Sequence, residues 1–411
     1  MVTYPSDWRI YPFRKFFKLI PNNTLSRDKL SASGTIGNIH YGDVLIKYGD
    51  TISDQDDIPR VREDIDFVAN NLLQKNDVIV ADTAEDETVG RVTQVGDVSI
   101  PLVGGLHTVV CRPNIETADG YLGCYMNSRY YHDQLLPYIT GIKVSSVSKK
   151  SLNETEITIP DDIQEQKAIV SIFNDMDRHI SNITELIEKK HGIRDGALED
   201  LIVGRTRIAG YCGERKECTI SDITRTVITG GTPSTARQEY YGGNIPWLSS
   251  TEIHQKRIKK PTTYITDLGL QNSSAKIAPE RSVLIALAGQ GKTRGTAAYL
   301  TRPMALNQSL AALVTNEKCN PEFLYYLIES MYLSLRELSS GDGGRGGLNK
   351  KLIKGVTVTI PVDVAEQEAI ADTLTAIDKE IETLEIERDK MIQIREGAMD
   401  DLLTGRVRLT K

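Results

Sequence analysis

The sequence predicts an α/β (α+β) fold of two pseudo-equivalent halves, each a globular domain followed by a long helix, the two helices pairing with each other. Three observations predict it. Residues 159–208 are written a second time at 360–409, at a constant offset of 201 and without a gap. Within each copy, apolar residues recur at alternating spacings of three and four, the mark of a helix with one apolar seam. Ahead of each copy, in residues 1–158 and 209–359, short β-type runs alternate with turns. Repetition at a fixed period signals repeated structural units, and here the period is half the chain.

In residues 1–158 the expected strands are Asp43-Val44-Leu45-Ile46, Asp77-Val78-Ile79-Val80-Ala81, Gly90-Arg91-Val92 and His107-Thr108-Val109-Val110. A helical stretch at 121–131, a Ser/Lys-rich loop and Ile157-Thr158-Ile159 complete that domain. The helical spacer 159–208 begins at Pro160, which ends an extended segment. Asp162 and Glu165 form an Asp-x-x-Glu capping pair for the first free N–H groups. The seam then runs Ile169, Phe173, Met176, Ile180, Ile183, Ile187, and a seam requires a partner helix. Gly204 suits the left-handed conformation that ends a helix. About 40 residues at about 1.5 Å each make a rod of roughly 60 Å. Gly192 and Gly196 suggest a weak point before its last turns.

The second domain, 209–359, repeats the plan. It contains Val283-Leu284-Ile285-Ala286, a loop at 289–295, strands at 296–300 and 307–314, a helix at 321–338, a glycine-rich loop at 341–347 and a strand at 356–360. The second spacer, 360–411, matches the first through Pro160/Pro361, Glu165-Gln166/Glu366-Gln367, Asp177/Asp378, Arg194/Arg395 and Gly204-Arg205/Gly405-Arg406. Outside the helices, Val78–Ala81 matches Val283–Ala286, Tyr121-Leu122 matches Phe323-Leu324, and Ser148-Lys149-Lys150 matches Asn349-Lys350-Lys351. Shared scaffolding that carries two different reading heads has this pattern. Two unrelated surface helices or an oligomer-forming coiled coil are the competing explanations of the rods.

The net charge of −7 is unevenly distributed. Residues 1–158 sum to −5, 159–208 to −3, 209–359 to +7 and 360–408 to −7. The second domain is therefore basic between acidic rods, which admits a polyanion partner that the whole-chain charge alone would argue against. Five scattered cysteines (Cys111, Cys124, Cys212, Cys218, Cys319) lack paired C-x-x-C spacing, so reduced thiols are expected rather than disulfides or zinc. No run approaches 18 apolar residues, and no basic-plus-apolar signal opens the chain, so a cytoplasmic protein without a membrane span is expected.

Ala288-Gly289-Gln290-Gly291-Lys292-Thr293 imitates a phosphate-binding loop, but Ala286 stands where its first glycine is required and a strand is expected to follow. A basic loop presenting Lys292 and Arg294 to nucleic acid is the better reading. Pro160-Asp161 with Glu165-x-Lys167 imitates a nuclease signature, but these residues sit in a first helical turn and the second copy has Val362 and Glu368 instead of Asp161 and Lys167. Methyltransferase tetrapeptides and His-x-x-x-His pairs are missing, so no enzyme is expected. The most distinctive text is Thr229-Gly230-Gly231-Thr232-Pro233-Ser234, followed by Tyr240-Tyr241-Gly242-Gly243-Asn244-Ile245-Pro246-Trp247-Leu248-Ser249-Ser250-Thr251. Its glycines and hydroxyls would let backbone approach a ligand; a turn-rich loop packed by Trp247 is the plainer alternative. Lys256-Arg257 and Lys259-Lys260 beside it favour a polyanion surface.

On these residues the chain resembles the specificity (S) subunit of type I restriction–modification systems, over essentially its whole length. The Thr-Gly-Gly-Thr-Pro and Gly-Asn-Ile-Pro-Trp text looks like the start of a target-recognition domain, and the Ile-Pro and Glu-Gln helices look like its spacers. The first domain departs from this opening, keeping only Gly34-Thr35-Ile36-Gly37-Asn38, and carries acidic runs at 54–57 and 82–87. The resemblance implies that the two target-recognition domains are separated by two long antiparallel helices in a pseudo-twofold arrangement, and that each domain reads a few bases of double-stranded DNA, giving a bipartite, asymmetric site with an unread spacer. It implies two methyltransferase (M) subunits performing adenine-N6 methylation with S-adenosylmethionine, and two restriction-translocase (R) subunits using ATP and Mg, with no cofactor in this chain. Base edges are read by hydrogen-bonding side chains, while Lys and Arg on phosphates supply affinity. The residues expected to do so are Ser249, Thr251, Lys292, Arg294, Arg345 and Lys350 in the second domain. In the first they are Asn38, His40, Arg91, Lys143, Ser146 and Lys149. A non-catalytic coiled-coil adaptor that binds protein is the alternative; a nuclease or methyltransferase in its own right would require activity from the isolated chain.

Overall fold

The computed structural model describes residues 4–141, 143–289, 292–338 and 347–409. The chain divides into two units: Met1–Thr184 with Ile386–Lys411, and Glu185–Glu385. The cut falls within both long helices, Ile163–Val203 and Val364–Leu402, so each unit owns one end of each. The first helix continues through Gly192 and Gly196, the expected weak point. Gly204 and Gly405 then take φ of +84° and +70°, left-handed values that a Cβ would disfavour.

In the first unit the core is a five-stranded sheet. Its order is Phe17–Ile20, Thr108–Pro113, Val78–Ala81, Val92–Val95 and Thr51–Ile52, antiparallel except for the last pair. Four successive fully buried residues, Val78 to Ala81, show that the central strand is covered on both faces. One face packs on Tyr121, Tyr125, Tyr131 and Phe173, the other on Ile39, Val44 and Tyr48. A second sheet joins Leu102–Gly104, Gly37–Ile39, Arg60–Val61 and Leu30–Ser31. Trp8–Pro12 pairs with Glu156–Pro160 and feeds the first long helix.

The second unit repeats this topology strand for strand in its central sheet: Thr224–Thr229, Leu310–Thr315, Val283–Ala286, Ala297–Leu300 and Arg257–Ile258, again parallel only at the last pair. Its second sheet orders Thr263–Ile265, Tyr241–Leu248, Met304–Leu306 and Lys276–Ala278. Arg215–Thr219 pairs with Thr357–Pro361 and feeds the second long helix. Three expectations change. The helical stretch at 121–131 is two helices, Tyr121–Met126 and Arg129–Leu135. Asp43 to Ile46 are helical, in Tyr41–Ile46, because His40 caps that turn. The stretch at 321–338 is two helices, Pro321–Ser330 and Tyr332–Leu338.

Within each unit the helix ends run antiparallel. In the first, Glu165 meets Arg408 at 2.6 Å, Asp177 meets Arg395 at 2.5 Å and His179 meets Glu387 at 3.8 Å. In the second, Glu366 meets Arg207 at 2.8 Å, Asp378 meets Arg194 at 3.0 Å and Lys190 meets Glu380 at 2.7 Å. The repeated Glu therefore pairs across helices rather than closing a capping box. Asp162 and Asp363 do cap, accepting from the amides of Gln164 and Ala365 at 2.8 and 2.9 Å. The repeated Gln welds helix to domain. Gln166 donates to Pro160 O at 2.8 Å and accepts from Ala118 N at 2.9 Å; Gln367 donates to Pro361 O and accepts from Asn320 N, both at 2.8 Å.

Candidate nucleic-acid interface

The candidate surface in the second unit lies at the end of strand Val283–Ala286. Gly295 N donates to Ala286 O at 2.9 Å, Leu287 N to Ser309 O at 2.8 Å, and Leu348 N to Leu287 O at 3.1 Å. Three chain segments are thereby brought to one strand end. The loop after Leu287 carries Lys292, whose carbonyl accepts from the hydroxyls of Thr296 and Tyr332, both at 2.9 Å, while its side chain is exposed. Arg294 is half-buried. His254 Nε2 lies 3.2 Å from Thr293 Oγ1 and ties the turn Ser250–Gln255 to this loop. Ser249 caps that turn and its hydroxyl lies 2.7 Å from that of the exposed Thr251. Lys350 is exposed in the first turn of Lys350–Lys354, behind the Asn349 cap. The structure thus gathers Ser249, Thr251, Lys292, Arg294 and Lys350; Arg345 lies outside the described residues. A strand, Ala297–Leu300, follows the loop, which excludes a phosphate-binding loop resting on a helix N-terminus.

Two sequence readings in this domain are corrected. Arg257 does not belong to a surface basic patch. Its guanidinium donates to Glu322 at 3.2 and 3.4 Å and to Thr375 at 2.9 Å, and lies 5.3 and 5.7 Å from the ring centroids of Tyr299 and Tyr325. The Thr229-Gly230-Gly231 text serves the chain itself: a Cβ at Gly230 would stand 1.7 Å from Leu306 O, and Trp247 Nε1 donates to Gly231 O at 3.1 Å.

The first unit has the same frame. Gly90 N donates to Ala81 O at 2.9 Å, Asp82 N to His107 O at 3.1 Å, and Val147 N to Asp82 O at 2.9 Å. Around it, Lys143 and Lys149 are exposed, Lys149 in a turn capped by Ser148. Ser146 is half-buried in a strand pairing with Thr83–Ala84, and Arg91 donates to Leu45 O at 3.1 Å. Asn38 does not offer a base contact: it is fully buried and donates to Asn23 Oδ1 at 3.1 Å. His40 is spent on its cap, accepting from Gly42 N at 3.3 Å, and burial pushes its pKa down. Gly37, Asn38 and Ile39 are all buried, covered on both faces of their strand, and the glycine-rich text around them does not signal it.

Sequence reasoning also left the repeated Arg without a partner. Arg194 is 5% exposed and joins Asp378 to Glu329. Arg395 joins Asp177 to Asp50 at 2.7 Å. Each therefore pins both helices and the globular domain of its unit. Asp161, part of the nuclease imitation, pairs with Arg9 at 2.6 Å, and Glu165 with Arg408, so they form no metal site. Among the described residues no group of three or more His, Cys, Asp or Glu could hold a metal ion, and no helix is long and apolar enough to cross a membrane.

Residues 5–190 and 214–393 match the model of the type I restriction modification DNA specificity domain. A Methanocaldococcus jannaschii protein described as a type I restriction enzyme MjaX specificity subunit is 23% identical over 426 residues, covering 98% of this chain and 95% of its own. The MjaIX specificity subunit of the same organism is 29% identical over 168 residues, 40% of this chain and 38% of its own. In fold, the S subunit of a type I system from M. genitalium aligns with TM-score 0.59 at 14% identity, over 96% of both chains. A chain from a study of complex assembly and conformational transition of the type I R-M system aligns with TM-score 0.61 at 16% identity, over 98% of this chain and all of that one. With the family model matched in both halves, the chain belongs to the type I restriction-modification DNA specificity family and is a non-catalytic specificity subunit.

Proposed function

We propose that this chain reads a bipartite, asymmetric DNA site, each domain taking one half, and that it scaffolds two M subunits and two R subunits in the cytoplasm. The chemistry would belong to those partners: adenine-N6 methylation with S-adenosylmethionine, and ATP- and Mg-dependent translocation and cleavage. The observation that carries this reading is the equality of frame and inequality of text. Both units hold the same central sheet and the same three hydrogen bonds at its strand end, yet present different side chains there. Base-edge recognition depends on side chains placed by a common support, so equal frames with unequal loops suit two half-sites of different sequence. Ser249, Thr251, Lys292, Arg294 and Lys350 are the favoured contacts in the second domain, and Arg91, Lys143, Ser146 and Lys149 in the first.

The test replaces residues 209–359 with the corresponding domain of a relative and sequences the methylome of a host expressing the chimera with its M subunits. One half of the methylated site should change while the other stays. A change in both halves, or in neither, refutes independent reading.

A further inference from the structure

We infer that the two domains grip DNA unequally: Lys292 is a phosphate contact of the second domain, whereas the first domain places Glu87, which repels phosphate, at the same point of its frame. The inference rests on the DNA-reading function proposed above. Residues 82–90 and 287–295 are connections of equal length leaving equivalent strands, Val78–Ala81 and Val283–Ala286. Both are closed by the same pair of hydrogen bonds: Gly90 N to Ala81 O and Ala81 N to Arg91 O, each 2.9 Å, in one, and Gly295 N to Ala286 O at 2.9 Å and Ala286 N to Thr296 O at 3.0 Å in the other. Both are crossed by an equivalent third, from Val147 N or from Leu348 N. Counting back three residues from the closing glycine reaches Glu87 in one and Lys292 in the other.

The reversal extends beyond that pair. The first connection holds Asp82, Glu85, Asp86 and Glu87 and no Lys or Arg; the second holds Lys292 and Arg294 and no acid. Glu87 and Lys292 are both exposed, and the Lys292 backbone is held by Thr296 and Tyr332, so its ammonium projects from an anchored support. Of the cations near Glu87, Arg129 is paired with Asp133 at 3.7 Å, and Arg91 directs one N–H to Leu45 O at 3.1 Å rather than to Glu87. The domain charges, −5 against +7, have the same sense. Phosphate neutralisation releases counterions and makes affinity fall with salt, by about 0.9 in the log–log slope per phosphate. The second domain then supplies most of the salt-dependent, sequence-independent hold. The first adds its affinity where its base contacts match.

The full chain with its M subunits is titrated onto a random-sequence DNA duplex by fluorescence anisotropy between about 50 and 200 mM salt. Glu87→Lys should steepen the slope by about 0.9, so that about 3.5-fold more affinity is lost across that range. Lys292→Glu should flatten it by a similar amount, and the double exchange should restore the wild-type slope. A slope unmoved by either single substitution, or a double variant that does not return to it, overturns the inference. Wild-type preference for the methylated site over random DNA separates the two levels. Its absence overturns the DNA-reading function itself; its presence beside unmoved slopes overturns only the unequal grip.

Discussion

Arg194→Ala should destabilise the second unit by about 3 kcal/mol, and the size follows from what the side chain holds. Arg194 is 5% exposed, donates to Asp378 at 3.0 Å, binds Glu329, and lies 5.9 Å from the centroid of the Tyr326 ring. Its removal leaves two carboxylates facing a vacated space, since Asp378 keeps only the Tyr326 hydroxyl at 2.7 Å from this constellation. Breaking a buried pair by deleting one partner costs about 3–5 kcal/mol. Side chains of Glu329 and Asp378 are each 21% exposed, so water relieves part of that and the low end applies. About 3 kcal/mol corresponds to roughly 150-fold in the unfolding equilibrium and, for a unit of this size, a Tm lower by about 6–12 °C. Differential scanning calorimetry measures it, with Arg205→Ala as control: Arg205 is 54% exposed beside Glu199 and Asp200, and its loss should leave the Tm essentially unchanged. An Arg194→Ala loss no larger than the control's would refute the anchoring role. Arg395→Ala should act alike in the first unit, through Asp177 and Asp50.

Gln367→Ala should cost about 1–3 kcal/mol, because it removes the buried bond to the Pro361 carbonyl and leaves the half-buried Asn320 amide and the Lys318 carbonyl unpaired, and denaturant unfolding would show it. Gly230→Ala should destabilise by at least about 1–3 kcal/mol, since its Cβ would meet Leu306 O, whereas Gly213→Ala, with nothing within 4 Å, should be near neutral. Under a thiol reagent at neutral pH, Cys212 should label first, being exposed. Burial pushes the Cys319 thiol up to about 12 and raises Cys111 and Cys124 as well, so these three should react only on unfolding, which mass spectrometry resolves.

The sequence by itself determined the two long helices and the correspondence between halves. Helical periodicity and a gapless repeat are local, additive signals, and the proline before and glycine after each helix are positional ones. Extent and ends were therefore legible from 160 to 204 and from 361 to 405, and the basic loop at Lys292 from its composition. Only the tertiary structure decided the partners of the repeated charges. Glu165 reads as a cap until Arg408 arrives from 243 positions away, and Arg257 reads as a surface cation until Glu322 and Thr375 close around it. It also decided that Asn38 is inside the first domain and that Glu87 occupies the place of Lys292. An ion pair or a buried amide is fixed by which chain segments meet in space, and one-dimensional spacing carries no term for that meeting.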